Sequence, residues 1–162
     1  MATKVIGIAD LNIVRAPDKI STIGLGSCCG VVLFEKRTKI AGMVHILLPK
    51  STEVNDASNK AKFADTGIRL LHQRITDAIK PLKPVLVAKM AGGAHMFGGV
   101  MNKSSSLNVG ERNVKSCKET LLMLHIPLVA DDTLGTYGRT IIYDPATDQL
   151  LIKTAGHGEK TI

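Results

Sequence analysis

Near its N-terminus this 162-residue chain carries a thiol and an imidazole seventeen residues apart, Cys28 and His45. A cysteine is a weak nucleophile until it loses its proton, and a neighbouring imidazole can take that proton and steady the thiolate. Cys28 ends the run Thr22-Ile23-Gly24-Leu25-Gly26-Ser27-Cys28, and Cys29 follows it. Glycines in such a turn reach backbone angles other residues resist, which can expose the sulfur. The backbone N–H groups of Gly26 and Ser27 are candidates to hold an oxyanion. The Thr22 hydroxyl can orient the imidazole, as the third member of a triad does. From spacing alone, a buried structural cysteine is the commoner outcome, because Cys is among the most buried residue types. A metal site is not expected. Adjacent cysteines lack the usual spacer between ligands, and His72, His95, His125 and His157 supply no second ligand pair.

Two strands must bring the pair together. Residues 28–35 and 40–48 are apolar and rich in β-branched residues, and Lys36-Arg37-Thr38-Lys39 separates them, so they read as a β-hairpin. A turn centred on Arg37-Thr38 sets Gly30 opposite His45, with Cys28 on the same face by parity. Successive strand residues point to opposite faces, so Cys28 and Cys29 do not both face His45.

The remaining chain supplies support. Residues 3–9 and 11–15 read as short strands, and 16–21 as a turn around Pro17-Asp18. An apolar stripe at steps of three and four predicts a helix over 58–79, ended by Pro81 and Pro84. A buried strand over 84–90 runs into the glycine-rich loop 92–99. Phe97 is a candidate partner or substrate contact there. Asn108, with Glu111 three residues on, opens a second helix. Strands follow at 126–130, 139–143 and 149–154, with a loop at Asp131-Asp132 and a frayed end. One α/β domain of α+β type is expected over 1–162, a largely antiparallel sandwich or sheet system with helices packed on it.

Composition bounds the function. Hydrophobic residues make up 44% and charged residues 22%, as in ordinary globular proteins, and aromatics only 3%. The net charge of +7 is spread over the first two thirds of the chain without a block of like charges, so nucleic acid is not an expected partner. No apolar run reaches the roughly 18 residues of a membrane span. Three cysteines, two of them adjacent, argue against a disulfide framework and for a cytoplasmic setting.

At this point the chain resembles a known family. Thr22-x-x-Leu25-Gly26-Ser27-Cys28, with His45-Ile46-Leu47-Leu48-Pro49, is similar to the CheD family of bacterial chemoreceptor glutamine deamidases. So are Val5-Ile6-Gly7-Ile8, Gly92-Gly93-Ala94-His95-Met96-Phe97 and Asn108-Val109-Gly110-Glu111-Arg112-Asn113. The resemblance implies hydrolysis of glutamine side chains on the cytoplasmic helices of methyl-accepting chemotaxis receptors. It makes Cys28 the nucleophile, His45 the base and Thr22 the orienting residue, with no metal or organic cofactor. It also implies a complex with the phosphatase CheC and a fold similar to the catalytic domain of cytotoxic necrotizing factor toxins. Cys29 stands where the family more often has a small apolar residue such as Val. The competing expectations are a binding module for CheC or receptor with minor catalysis, and a receptor glutamate methylesterase using the same thiol.

Overall fold

A computed structural model describes residues 1–96 and 108–162. These residues form ten strands and two α-helices. In chain order the strands are β1 (Thr3–Ile6), β2 (Leu11–Arg15), β3 (Lys19–Leu25), β4 (Cys29–Glu35), β5 (Ile40–Ile46) and β6 (Leu86–Gly92). They continue as β7 (Leu128–Thr133), β8 (Arg139–Asp144), β9 (Gln149–Thr154) and β10 (Gly158–Thr161). The helices are α1 (Ala64–Ile79) and α2 (Val109–Met123).

The strands make two five-stranded sheets, β1-β3-β8-β9-β10 and β2-β5-β4-β6-β7. Among the described strands only β1–β3 and β6–β7 pair in parallel, so the sheets are largely antiparallel as expected. Two apolar layers follow from strand alternation. Val32, Phe34, Ala41 and Met43 point from the second sheet toward Ile20, Leu25, Ile141 and Tyr143 of the first. Val31, Leu33, Val44 and Ile46 point the other way, onto Ile68, Leu71 and Ile75 of α1 and Val114 and Leu121 of α2. Every residue of β4 and β5 is buried, because both faces are covered.

The hairpin register is the expected one, with Gly30 opposite His45 and Cys29 opposite Ile46. Other expectations need correction. Residues 19–25 are a strand rather than a turn and loop, paired with β1 on one side and β8 on the other. Gly24, at φ +79°, sits where the pairing with β8 shifts register. The first helix begins at Ala64, not near residue 58. The Leu47 and Leu48 amides both bond the Lys62 carbonyl, and the Ala64 amide bonds that of Leu48. This pairing holds Phe63 extended and buried, so helix cannot form through it. Asn59 caps only the short helical turn Lys60–Lys62. Strand β6 starts two residues later than expected and takes in Gly92. Asp131 and Asp132 lie inside β7, where Asp132 meets Arg139 at 3.0 Å and Lys160 at 2.7 Å. The C-terminal segment is not frayed, since β10 pairs along β9.

Candidate active site

His45 points from β5 into the layer between the sheets, on the same face as Ala41 and Met43. Its side chain is fully buried. Thr22 points into the same layer from β3 of the opposite sheet and is equally buried. Thr22 Oγ1 donates to the Ile6 carbonyl at 2.9 Å and lies 2.7 Å from His45 Nδ1. With its proton committed to Ile6, the hydroxyl accepts from Nδ1–H. The tautomer follows: Nδ1 carries the proton and Nε2 keeps a free lone pair. Nε2 is buried and has no hydrogen-bond partner among the described residues. An unpaired buried acceptor is costly to keep, and each one in a folded protein calls for an explanation.

Cys28 immediately precedes β4. Its side chain belongs to the inter-sheet layer, whereas that of Cys29 lies in the helix-facing layer beside Cys117. The strand therefore separates the two thiols, and Cys28, Cys29 and His45 do not converge as metal ligands would. Cys28 retains 7% exposure and Cys29 none. Burial pushes the Cys28 thiol up to about 11, aided by the neighbouring Cys29, while its own backbone N–H pulls the other way. Contact with Cys117 and burial hold Cys29 well above the ordinary thiol range. Burial lowers His45 below its usual 6.5. At neutral pH the resting pair is thus a thiol and a neutral imidazole, not a preformed ion pair.

The turn bearing Cys28 is held by close backbone packing. Gly93 N–H donates to the Cys28 carbonyl at 2.8 Å, and Ala94 N–H donates to that of Gly26 at 2.9 Å. Gly92 has φ +111°, and a Cβ there would lie 2.2 Å from the Cys28 carbonyl oxygen. Gly92 and Gly93 therefore serve a close approach of two chain segments. At Gly30, opposite His45, a Cβ would meet side chain and not backbone, the tip of Ile141 at 2.5 Å. Gly26 N–H donates to the Gly24 carbonyl at 3.1 Å, so it is already engaged. Phe97 lies outside the described residues.

The sequence reading passed over one neighbour of the site. Asn113 of α2 is fully buried, and its Nδ2 donates to the carbonyls of Ser27 at 2.9 Å and Leu47 at 3.0 Å. The signal was present as a polar stripe, Asn113, Ser116 and Thr120, running beside the apolar Val114, Cys117 and Leu121. All three polar residues are buried.

Residues 47–154 match the family model described as CheD chemotactic sensory transduction. The chain is also similar over nearly its whole length to curated proteins. It is 49% identical over 158 residues to a probable chemoreceptor glutamine deamidase CheD of Caldanaerobacter subterraneus subsp. tengcongensis, covering 97% of this chain and 96% of that protein. It is 48% identical over 157 residues to the protein of that name from Lachnoclostridium phytofermentans, with the same coverage. The counterpart from Syntrophomonas wolfei is 46% identical over 158 residues, again covering 97% and 96%. Coverage of that extent takes in the strands that carry Thr22, Cys28 and His45.

Proposed function

We propose, since this chain belongs to the CheD family, that it hydrolyses glutamine side-chain amides of chemoreceptors to glutamate, with Cys28 as nucleophile, His45 as base and Thr22 as the residue that orients it. One observation carries the assignment of roles. Thr22 fixes the Nδ1–H tautomer of His45 at 2.7 Å, and this leaves an unpartnered Nε2 in the layer that also receives the Cys28 side chain. Dyad contacts are often loose before substrate binds and tighten in the complex.

The chemistry starts from neutral partners. As Cys28 Sγ attacks the amide carbon, His45 Nε2 takes the thiol proton. The developing oxyanion is held by the Ser27 and Cys28 amides; the role expected of Gly26 passes to Cys28 because the Gly26 N–H is already bonded to Gly24. The imidazolium then gives its proton to the amide nitrogen, which leaves as ammonia and would be a poor leaving group otherwise. The resulting thioester is attacked by water, with His45 taking the water proton and returning one to the departing sulfur. Glutamate and the free thiol result.

The substrate we assign is a cytoplasmic helix of a methyl-accepting chemotaxis receptor. Exposed apolar side chains lie next to each segment of the site. Ile8 adjoins Ala9, whose amide bonds the His45 carbonyl; Ile23 adjoins Thr22; and Met96 packs against Gly26. These can seat the apolar stripe of an amphipathic helix while a glutamine enters between the sheets. No described helix is long and apolar enough to cross a membrane. We place the protein in the cytoplasm as one domain over 1–162, with CheC as a regulatory partner and Phe97 as a partner contact on the sequence argument. We also propose that its scaffold is the one used by the catalytic domain of cytotoxic necrotizing factor toxins.

Incubation with a receptor cytoplasmic fragment tests the reading. The fragment gains the mass of an amide-to-acid exchange and ammonia is released, and Cys28→Ala abolishes both. Tight binding without any mass change would make the protein a binding module. Methanol in place of ammonia would make it a methylesterase.

A further inference from the structure

Helix α2 does more than cover the second sheet. Asn113 Nδ2 reaches two carbonyls that are twenty residues apart in sequence, Ser27 at 2.9 Å and Leu47 at 3.0 Å. One flanks Cys28 and the other lies two residues past His45. A single planar amide therefore spans the turn that carries the thiol and the strand end that carries the imidazole. Its two N–H groups leave at a fixed angle, so the separation of the two carbonyls is set by the amide itself. The other end of the same amide, Oδ1, is buried without a partner among the described residues. An apolar side chain of similar size would fill the space without that unsatisfied oxygen. The amide is kept at this cost because it satisfies two backbone carbonyls that an apolar side chain would leave without this donor, and those carbonyls flank the two reacting groups.

A comparison within α2 isolates the point. Ser116 is also buried and also donates to a carbonyl, that of Pro49, at 2.7 Å. It ties the helix to one segment only. Asn113 alone of the two bridges both reacting strands.

We propose that Asn113 is a positioning residue for the Cys28–His45 pair. It acts by clamping the Ser27 and Leu47 carbonyls at the spacing from which Sγ and Nε2 can meet over a bound glutamine. The inference rests on the dyad reading above, and its test separates the two.

The test is a double-mutant cycle read as the second-order alkylation rate of Cys28 by iodoacetamide near neutral pH. Asn113→Leu is made in the wild-type and His45→Ala backgrounds, with Ser116→Ala as the control and circular dichroism melts to fix the folded fraction. Misplacing reacting groups by about 1 Å costs up to about 100-fold. Per folded molecule, Asn113→Leu is therefore expected to slow alkylation by about 10-fold or more in the wild-type background. In the His45→Ala background, with the base gone, little further loss is expected, and Ser116→Ala is expected to leave the rate near wild type despite a lower melting temperature. The kcat for deamidation should fall with the alkylation rate while KM moves little.

Equal loss in both backgrounds, or equal loss from Ser116→Ala, overturns the positioning role. If His45→Ala itself does not slow alkylation, the dyad reading fails instead. Should Asn113→Leu not fold, Asn113→Ser carries the comparison. Failure of both to fold would make Asn113 a purely structural residue.

Discussion

Replacing Thr22 with Val removes one hydroxyl and leaves the side-chain shape intact, so it isolates the bond that orients His45. Two hydrogen bonds disappear, to the Ile6 carbonyl at 2.9 Å and to His45 Nδ1 at 2.7 Å, and both partners stay buried. Leaving a buried group unpaired costs about 1–3 kcal/mol each, so a total loss of about 2–6 kcal/mol in stability is expected. Only part of that reaches catalysis, because only interactions stronger in the transition state accelerate the reaction. In the resting state the Nδ1–H···Oγ1 bond joins neutral groups and is worth about 1 kcal/mol. Once His45 holds the Cys28 proton the bond is to an imidazolium and is worth about 1.5–3 kcal/mol. The difference, about 0.5–2 kcal/mol, corresponds to a fall of about 2- to 30-fold in kcat. The assay is ammonia release from a receptor fragment at saturating substrate, at a temperature where the variant is folded. Thr22→Ser keeps the hydroxyl and should stay within about twofold of wild type. Wild-type turnover in Thr22→Val, or a Thr22→Ser variant as slow as Thr22→Val, would refute the orienting role.

Burial lowers His45 below 6.5, and a base must be unprotonated to act. The acid limb of kcat/KM is therefore expected below pH 6.5, with activity retained as pH falls toward that value; a limb above it would contradict a buried neutral base. Burial holds the Cys28 thiol up at about 11 with His45 in place, so alkylation near neutral pH depends on proton transfer to His45; His45→Ala should lose that neutral-pH rate and keep only the rise toward pH of about 11. Cys29→Val fills a fully buried site with a residue of similar size, so a stability change under about 1.5 kcal/mol and near-normal turnover are expected; loss of turnover would implicate the second sulfur. Gly92→Ala forces a non-glycine residue to φ +111° and puts a Cβ against the Cys28 carbonyl, costing at least about 1–3 kcal/mol by melting and lowering turnover as well. Gly156→Ala, also at positive φ but in open space, is the matched control and should leave turnover unchanged.

The local geometry of the site was legible in the sequence wherever a short-range rule governed it. The turn at Arg37-Thr38 fixed the register of β4 on β5, and strand parity then put Cys28 and Cys29 on opposite faces, as found. What was not legible depends on contacts distant in sequence. The Thr22–His45 bond crosses from one sheet to the other, and its geometry follows from a strand order that no local pattern encodes. Strand β3 was missed because Gly24 and Gly26 read as loop, although pairing on both sides and a register shift absorb Gly24. Asp131 and Asp132 read as loop by propensity, yet Arg139 and Lys160 neutralise Asp132 within β7. The early start assigned to α1 fails because the Leu47–Leu48 segment pairs with Lys62 and Ala64 and holds Phe63 extended. Asn113 escaped notice because a polar residue beside an apolar helical stripe ordinarily faces solvent, and only the assembled fold shows it buried between two carbonyls.

The nucleophile can be caught directly. Turnover of a glutamine-bearing receptor peptide, quenched in acid and mapped by peptide mass spectrometry, should show the peptide's mass less ammonia attached to the fragment that contains Cys28-Cys29. Fragmentation should place the adduct on Cys28, and Cys29→Val should leave it unchanged. An adduct on Cys29, or undiminished deamidation by Cys28→Ala, would contradict the account.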